Sequence, residues 1–168
     1  MVNRQVNPGL PPGAEQRLRD LGIVLPSPPT PLGAYVETVQ TGNLLFLSGM
    51  LPIVDGVPKF FGRVGAELDM AQGRAAATAA CLNAIATVKA QLGSLDKITR
   101  VVRLGVSIAS SNDFVEHPKL ADAASELLES IFGRDKTSTR LITGVVSLPL
   151  GLPVALEIIF ETAPTADK

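Results

Sequence analysis

The chain has 168 residues, 46% apolar and 18% charged, with a net charge of −1. This is the composition of one globular domain able to bury a core, not of a disordered polymer. With 15 Lys and Arg against 16 Asp and Glu and no basic run, it lacks the electrostatic footprint of a protein that binds nucleic acid by neutralising phosphates. No apolar stretch reaches the ~18 residues that span a bilayer, and the N-terminal stretch has no basic-then-apolar leader, so the expected location is the cytoplasm and no membrane partner is expected.

Residues 1–31 form a Pro-rich extension around one predicted short helix, Glu15 to Leu21, stopped by Gly22; the domain proper is expected at residues 32–163. Tyr35 to Gln40 reads as a strand, Thr41-Gly42-Asn43 as a turn and Leu44 to Gly49 as a mostly apolar strand, giving a hairpin. Asp55-Gly56 marks another tight turn, with a short strand leading toward Arg63. Asp69 is a good N-cap for a long helix through Leu92, closed by Gly93, whose stripe of Ala77, Cys81, Ala84, Ile85, Val88 and Leu92 recurs at helical spacing. A strand follows from Ile98 to Ala109, expected to pair in parallel with another because a helix separates them. A second helix spans Lys119 to Phe132, and strands over Arg140 to Ser147 and Val154 to Thr162 complete the domain.

The predicted order is βββαβαββ, an α+β domain with one mixed sheet of about six strands and two helices on one face. Leu45, Leu47, Val102, Leu104, Val106, Ile158 and Phe160 make the strands apolar enough to suggest that both faces are buried. With no further element to cover the second face, other copies of the chain are expected to do so, and a homo-oligomer follows.

Metal and nucleophile chemistry are thinly supplied. One His (His117) and one Cys (Cys81) cannot build a zinc cluster of the usual type, so no metal or cofactor is expected. His117, before Pro118 at a helix start, is expected to be solvated, and Cys81 to be a small core residue. No G-x-S-x-G nucleophile motif occurs.

The informative stretch is Ser138 to Ile159. Two strand-like runs flank a Pro/Gly turn, and each carries one charge where an apolar residue is expected: Arg140 in the first, Glu157 in the second. A buried charge is costly unless paired, so such residues are either partnered structurally or face a cleft. The first reading makes Arg140 half of an ion pair with Asp122 or Glu157. The second aims its guanidinium at a small acidic molecule. Tyr35 likewise has a packing reading and a site reading, and Ser48-Gly49 reads equally as a β-bulge.

Gly33-Ala34-Tyr35-Val36, the run from Gly42 through Leu47-Ser48-Gly49 to Pro52, and Arg140 with Leu148-Pro149 and Glu157 resemble the reactive-intermediate deaminase (RidA/YjgF-like) family across residues 32–163. The N-terminal helix, Leu25-Pro26 and Asn83 are more similar to its longer-chain, endoribonuclease-like branch. The resemblance implies a chorismate-mutase-like fold assembled as a trimer whose sheets form a central barrel. It also implies that Arg140 grips the carboxylate of a 2-imino or 2-enamino acid in a cleft between subunits. It places Tyr35 at the pocket, Glu157 as the group that positions or activates water, and Gly49 and Ser48 along the lining. Two residues depart from the family pattern. Asp122 stands where many members place an asparagine near the arginine, and Ser138 where the longer branch often has a histidine.

Three functions are compatible with this reading. The first is hydrolytic deamination of small enamine or imine acids to 2-oxo acids and ammonia. The second is a non-catalytic trimer holding a small carboxylate metabolite through the same arginine. RNA cleavage ranks last, because the net charge of −1, the lack of Trp and the single Tyr leave few stacking platforms or phosphate contacts.

Overall fold

The computed structural model describes residues 11–164, so the first part of the Pro-rich extension lies outside the described residues. A short helix, α1 (Ala14–Asp20), is followed by β1 (Thr38–Thr41) and β2 (Leu44–Leu47). Next come a small hairpin of β3 (Ile53–Val54) and β4 (Val57–Pro58), then α2 (Met70–Leu92), β5 (Ile98–Ala109), α3 (His117–Phe132), β6 (Thr139–Val145) and β7 (Val154–Thr162).

The main sheet has five strands in the order β1-β2-β7-β5-β6, not six. The segment expected to lead a third strand toward Arg63 instead forms the separate β3-β4 hairpin. Pro52 before it and Pro58 within it cannot donate to a sheet ladder, which confines the segment to an isolated ribbon. Its turn, Asp55 (φ 52°) and Gly56 (φ 74°), has both central residues left-handed, as a tight two-residue hairpin requires. β5 runs parallel to β6 and antiparallel to β7, so the sheet is mixed as expected.

The long helix begins and ends where the sequence places it. Asp69 accepts from the Gln72 N–H at 2.8 Å while the Gln72 side chain accepts from the Asp69 N–H at 3.0 Å, a reciprocal cap, and Gly93 (φ 78°) closes the helix in the left-handed conformation. A Cβ at Gly73 would lie 2.5 Å from Leu120 Cδ1, so this glycine is what lets α3 pack directly on α2. The Ala-rich stripe is fully buried from Ala77 to Val88, with Leu92 partly so, and burial raises the Cys81 thiol pKa to about 12, which removes it as a thiolate nucleophile. α1 joins the same core through Ala14 and Leu18. Glu15 fastens it by accepting from Lys89 Nζ (2.8 Å) and the Leu95 N–H (3.0 Å). Burial pushes the Glu15 carboxyl upward, but those two donors outweigh it and hold the pKa below its usual value.

The two sheet faces differ. Leu45, Leu47, Leu104, Val106, Ile158 and Phe160 are all buried on the single face covered by helices. Most of the residues that suggested two buried faces therefore share one face. Val102 is half-buried at a register irregularity between Val101 and Arg103. The uncovered face is mixed: Val39, Phe46 and Leu141 stand exposed on it beside Arg103, Ser107, Thr143 and Glu157. His117 also departs from expectation. Its Nε2 lies 3.1 Å from Ser110 Oγ and its ring packs edge-on against Phe114, so it ties the start of α3 to the end of β5 rather than standing in solvent.

Candidate functional site

Strand register decides where the two charged residues of the informative stretch go. On β6, Arg140 sits beside Leu104 of β5, whose other neighbour is Ile158 of β7; all three belong to the helix-covered face. Glu157 sits beside Gly105, whose other neighbour is Leu141, on the uncovered face. Within one chain, Arg140 and Glu157 therefore lie on opposite sides of the sheet.

Arg140 reaches α3 from this edge strand. Its Nη1 donates to Asp122 Oδ1 at 2.7 Å and to Ser125 Oγ at 3.0 Å. Asp122 and Ser125 are three residues apart on α3 and so share the side of the helix that flanks β6. Both contacts engage one terminal nitrogen, and Arg140 also lines a cleft of about 190 Å³ with Ser125, Ser138, Lys136 and Leu128. Of the two structural partners considered for Arg140, the pair forms with Asp122 and not with Glu157. The Asp122 side chain is 45% exposed, so water screens the pair and its contribution to stability is small.

On the other face, Glu157 and Gly49 share a cleft of about 260 Å³ with Arg103, Ser107, Leu141 and Thr143. Gly105 shapes it from below: a Cβ there would come within 3.3 Å of Glu157 Cβ, so the missing side chain lets the carboxylate lie flat across β5. Gly49 enters through a break in pairing. Phe46 pairs with Ile159 and Met50 with Leu156, so β2 spends four steps against three on β7. The extra residue is a β-bulge, and Gly49 within it lines the same cleft as Glu157. Here Gly49 does not serve close packing within the chain, since a Cβ on it would meet nothing within 4 Å.

The remaining candidates sit apart. The Ser48 hydroxyl donates to the Val36 carbonyl at 2.6 Å and is occupied in holding that segment. Tyr35 lies in bends before β1 rather than on a strand, 45% exposed, with its hydroxyl accepting from the Leu32 N–H at 3.0 Å. Asn83 is 2% exposed and donates to the Leu51 and Ile53 carbonyls at 2.9 and 2.8 Å, which anchors the segment following Gly49 to α2. Among the described residues, no three His, Cys, Asp or Glu side chains gather as a metal-holding group, and no helix is long and apolar enough to cross a membrane.

Sequence reasoning missed Arg103, Ser125 and Gly105. Arg103 was open to the test that singled out Arg140 and Glu157, a charge inside a largely apolar strand, although Arg100 shares that strand. Ser125 and Gly105 carry no such signal, because their importance comes from what lies across the sheet.

Residues 15–161 match the family described as "YjgF/chorismate mutase-like, putative endoribonuclease". The chain belongs to this YjgF family. It is 39% identical over 145 residues to Protein TCP17 of Trypanosoma cruzi, covering 86% of this chain and 91% of that one. It is 32% identical over 139 residues to the 2-iminobutanoate/2-iminopropanoate deaminase of Dermatophagoides farinae, covering 82% and 92%. Among solved structures, a "putative endoribonuclease" from Shewanella oneidensis superposes with a TM-score of 0.86 at 33% identity, covering 89% of this chain and 99% of that one. The YjgF assignment agrees with the mixed sheet and its helices on one face.

Proposed function

We propose that this YjgF-family chain hydrolyses small enamine or imine acids to 2-oxo acids and ammonia, in clefts assembled between copies of a homotrimer. The observation that carries this reading is the division of the candidate residues between the two sheet faces. Arg140 sits at the β6 edge with one nitrogen fixed and lines a cleft, while Glu157 and the Gly49 bulge lie on the other face. A carboxylate anchor and a water-positioning carboxylate on opposite faces of one sheet can act on one small molecule only when a second copy supplies one of them. The partly apolar uncovered face, with Val39, Phe46 and Leu141, is the surface such a copy would bury.

The chemistry suits these groups. A planar guanidinium makes parallel charge-assisted hydrogen bonds to the carboxylate next to the imine carbon. Glu157 orients a water, accepts its proton as the water oxygen bonds to the imine carbon, and passes that proton to the imine nitrogen. The resulting carbinolamine loses its C–N bond, its hydroxyl proton returns through the carboxylate to the nitrogen, and ammonia leaves a 2-oxo acid. Water is consumed and one ammonia released, so the step needs no oxidant and no covalent nucleophile. The sequence relationship to an imine deaminase supports the same substrate class.

Ammonia release from imino acids generated by an amino-acid oxidase is the direct assay, run on protein whose trimeric mass is established by light scattering. Release above the spontaneous rate is the expected result. Carboxylate binding without release would instead identify a binding trimer, and a monomer at micromolar concentration would end the shared-site reading.

Asp122 tunes this site. Its carboxylate competes with an acidic ligand for Arg140 Nη1. Asp122→Asn is expected to tighten binding of small carboxylates such as pyruvate by about 1.5- to 5-fold, the size of a solvent-screened ion pair. Calorimetric titration of both proteins measures it, and equal or weaker binding in the variant would mean that Asp122 does not oppose the ligand.

A further inference from the structure

The cleft on the uncovered face holds a second guanidinium that the reaction above leaves unused. Arg103 precedes Leu104 on β5 and pairs in register with Ile159, so it faces away from the helices and into the cleft beside Glu157. Its Nε lies 3.7 Å from Glu157 Oε1, too far for a hydrogen bond. That Nε is buried and has no hydrogen-bond partner among the described residues. The rest of the Arg103 side chain is 39% exposed and lies within ion-pair distance of Glu157, but the Nε–H itself is shut off from water, and its place in a cleft leaves that bond to an acceptor from outside the chain. The hydroxyl-bearing residues Ser107 and Thr143 line the same cleft. With Glu157 on one side and two hydroxyl donors in the same cleft, the guanidinium keeps donors free to receive an anion.

We propose that Arg103 is a specificity-determining residue that binds a second carboxylate, at the far end of the substrate, so that the preferred substrates are imino acids of dicarboxylic amino acids. The inference rests on the hydrolytic reading above. Arg140 of one copy holds the carboxylate next to the imine carbon, Glu157 of the neighbouring copy serves the water, and Arg103 beside it takes the distal carboxylate. A substrate with an apolar end leaves the buried Nε without an acceptor, and a site built for a charged group discriminates strongly against an analogue that lacks it.

The test compares 2-oxoglutarate with 2-oxopentanoate, which has the same carbon count and no distal carboxylate, by calorimetry on the wild-type protein, Arg103→Gln and Arg103→Lys. Wild type is expected to bind 2-oxoglutarate about 10- to 100-fold more tightly, the range of a hydrogen-bonded charge. Arg103→Gln should bring that ratio close to one and Arg103→Lys should restore part of it, with thermal unfolding confirming that each variant is folded. No preference in wild type, or a preference that survives Arg103→Gln, overturns the proposal. Ammonia release from 2-iminoglutarate and 2-iminopentanoate runs in parallel and separates the two levels of inference. Hydrolysis of both at equal efficiency refutes the role of Arg103 and leaves the hydrolytic reading standing. Arg103-dependent binding of 2-oxoglutarate without any ammonia release supports the second-carboxylate site and refutes the hydrolysis.

Discussion

Arg140→Ala is expected to lower kcat/KM for 2-iminopropionate-type substrates by about 10- to 150-fold, the equivalent of the roughly 1.5–3 kcal/mol that a hydrogen bond to a charged group contributes. The loss should come with assembly and melting nearly intact. Arg140 lies on an edge strand, and its partner Asp122 is 45% exposed, so removing the guanidinium leaves a carboxylate that water can reach rather than a buried charge. Arg140→Lys should recover only part of the activity, since an ammonium keeps the charge but not the planar fork that meets a carboxylate with two parallel bonds. Light scattering and thermal unfolding of the Ala variant decide between the readings of this residue. A variant that fails to assemble would make Arg140 a structural element of the interface and remove the carboxylate anchor from the proposed mechanism.

Glu157→Gln should act on the other half of the reaction. If this carboxylate takes the proton from water, its loss lowers kcat by about 10²- to 10⁴-fold while carboxylate affinity, governed by Arg140, changes little. The position of Glu157 on the face opposite Arg140 permits a stricter test, which is to refold the two inactive variants together. In a trimer mixed at random from equal amounts, half of the sites draw an intact Arg140 from one copy. Half of those find an intact Glu157 on the neighbour, so about a quarter of wild-type activity should return. A site built within a single chain would recover nothing, because every chain in the mixture lacks one of the two groups. Activity that stays at zero in mixed trimers of verified composition would therefore overturn the shared cleft.

Much of the architecture was legible because it depends on local chemistry. Asp69 and Gln72 form a reciprocal cap, Gly93 supplies a left-handed stop, and the Ala-rich stripe between them can only be a closely packed face. The separation of β5 and β6 by a helix implies their parallel pairing through ordinary crossover geometry. The missing sixth strand was lost to a competition that the sequence does not settle. Apolar residues around Asp55-Gly56 look strand-like, yet Pro52 and Pro58 withhold the donors needed to join a larger ladder. His117 was misread for a related reason: its solvation depends on whether Ser110 and Phe114 lie against it, and both approach only once β5 meets α3.

The sequence by itself determined that the domain is α+β, where its long helix starts and stops, its YjgF-like motifs, and that Arg140 and Glu157 are the anomalous charges of two late strands. Lone charges in apolar runs stand out without coordinates because leaving them unpaired in a core is costly. Only the tertiary structure decided which side of the sheet each charge occupies, since side chains alternate and a one-residue change of register reverses every assignment. It placed Asp122 and Ser125 on Arg140, and it set Glu157 over Gly105, next to the Gly49 bulge and the unpartnered Nε of Arg103. Those juxtapositions join residues far apart in the chain. No local propensity encodes them; they follow from strand pairing and from the packing of α3 against the sheet edge.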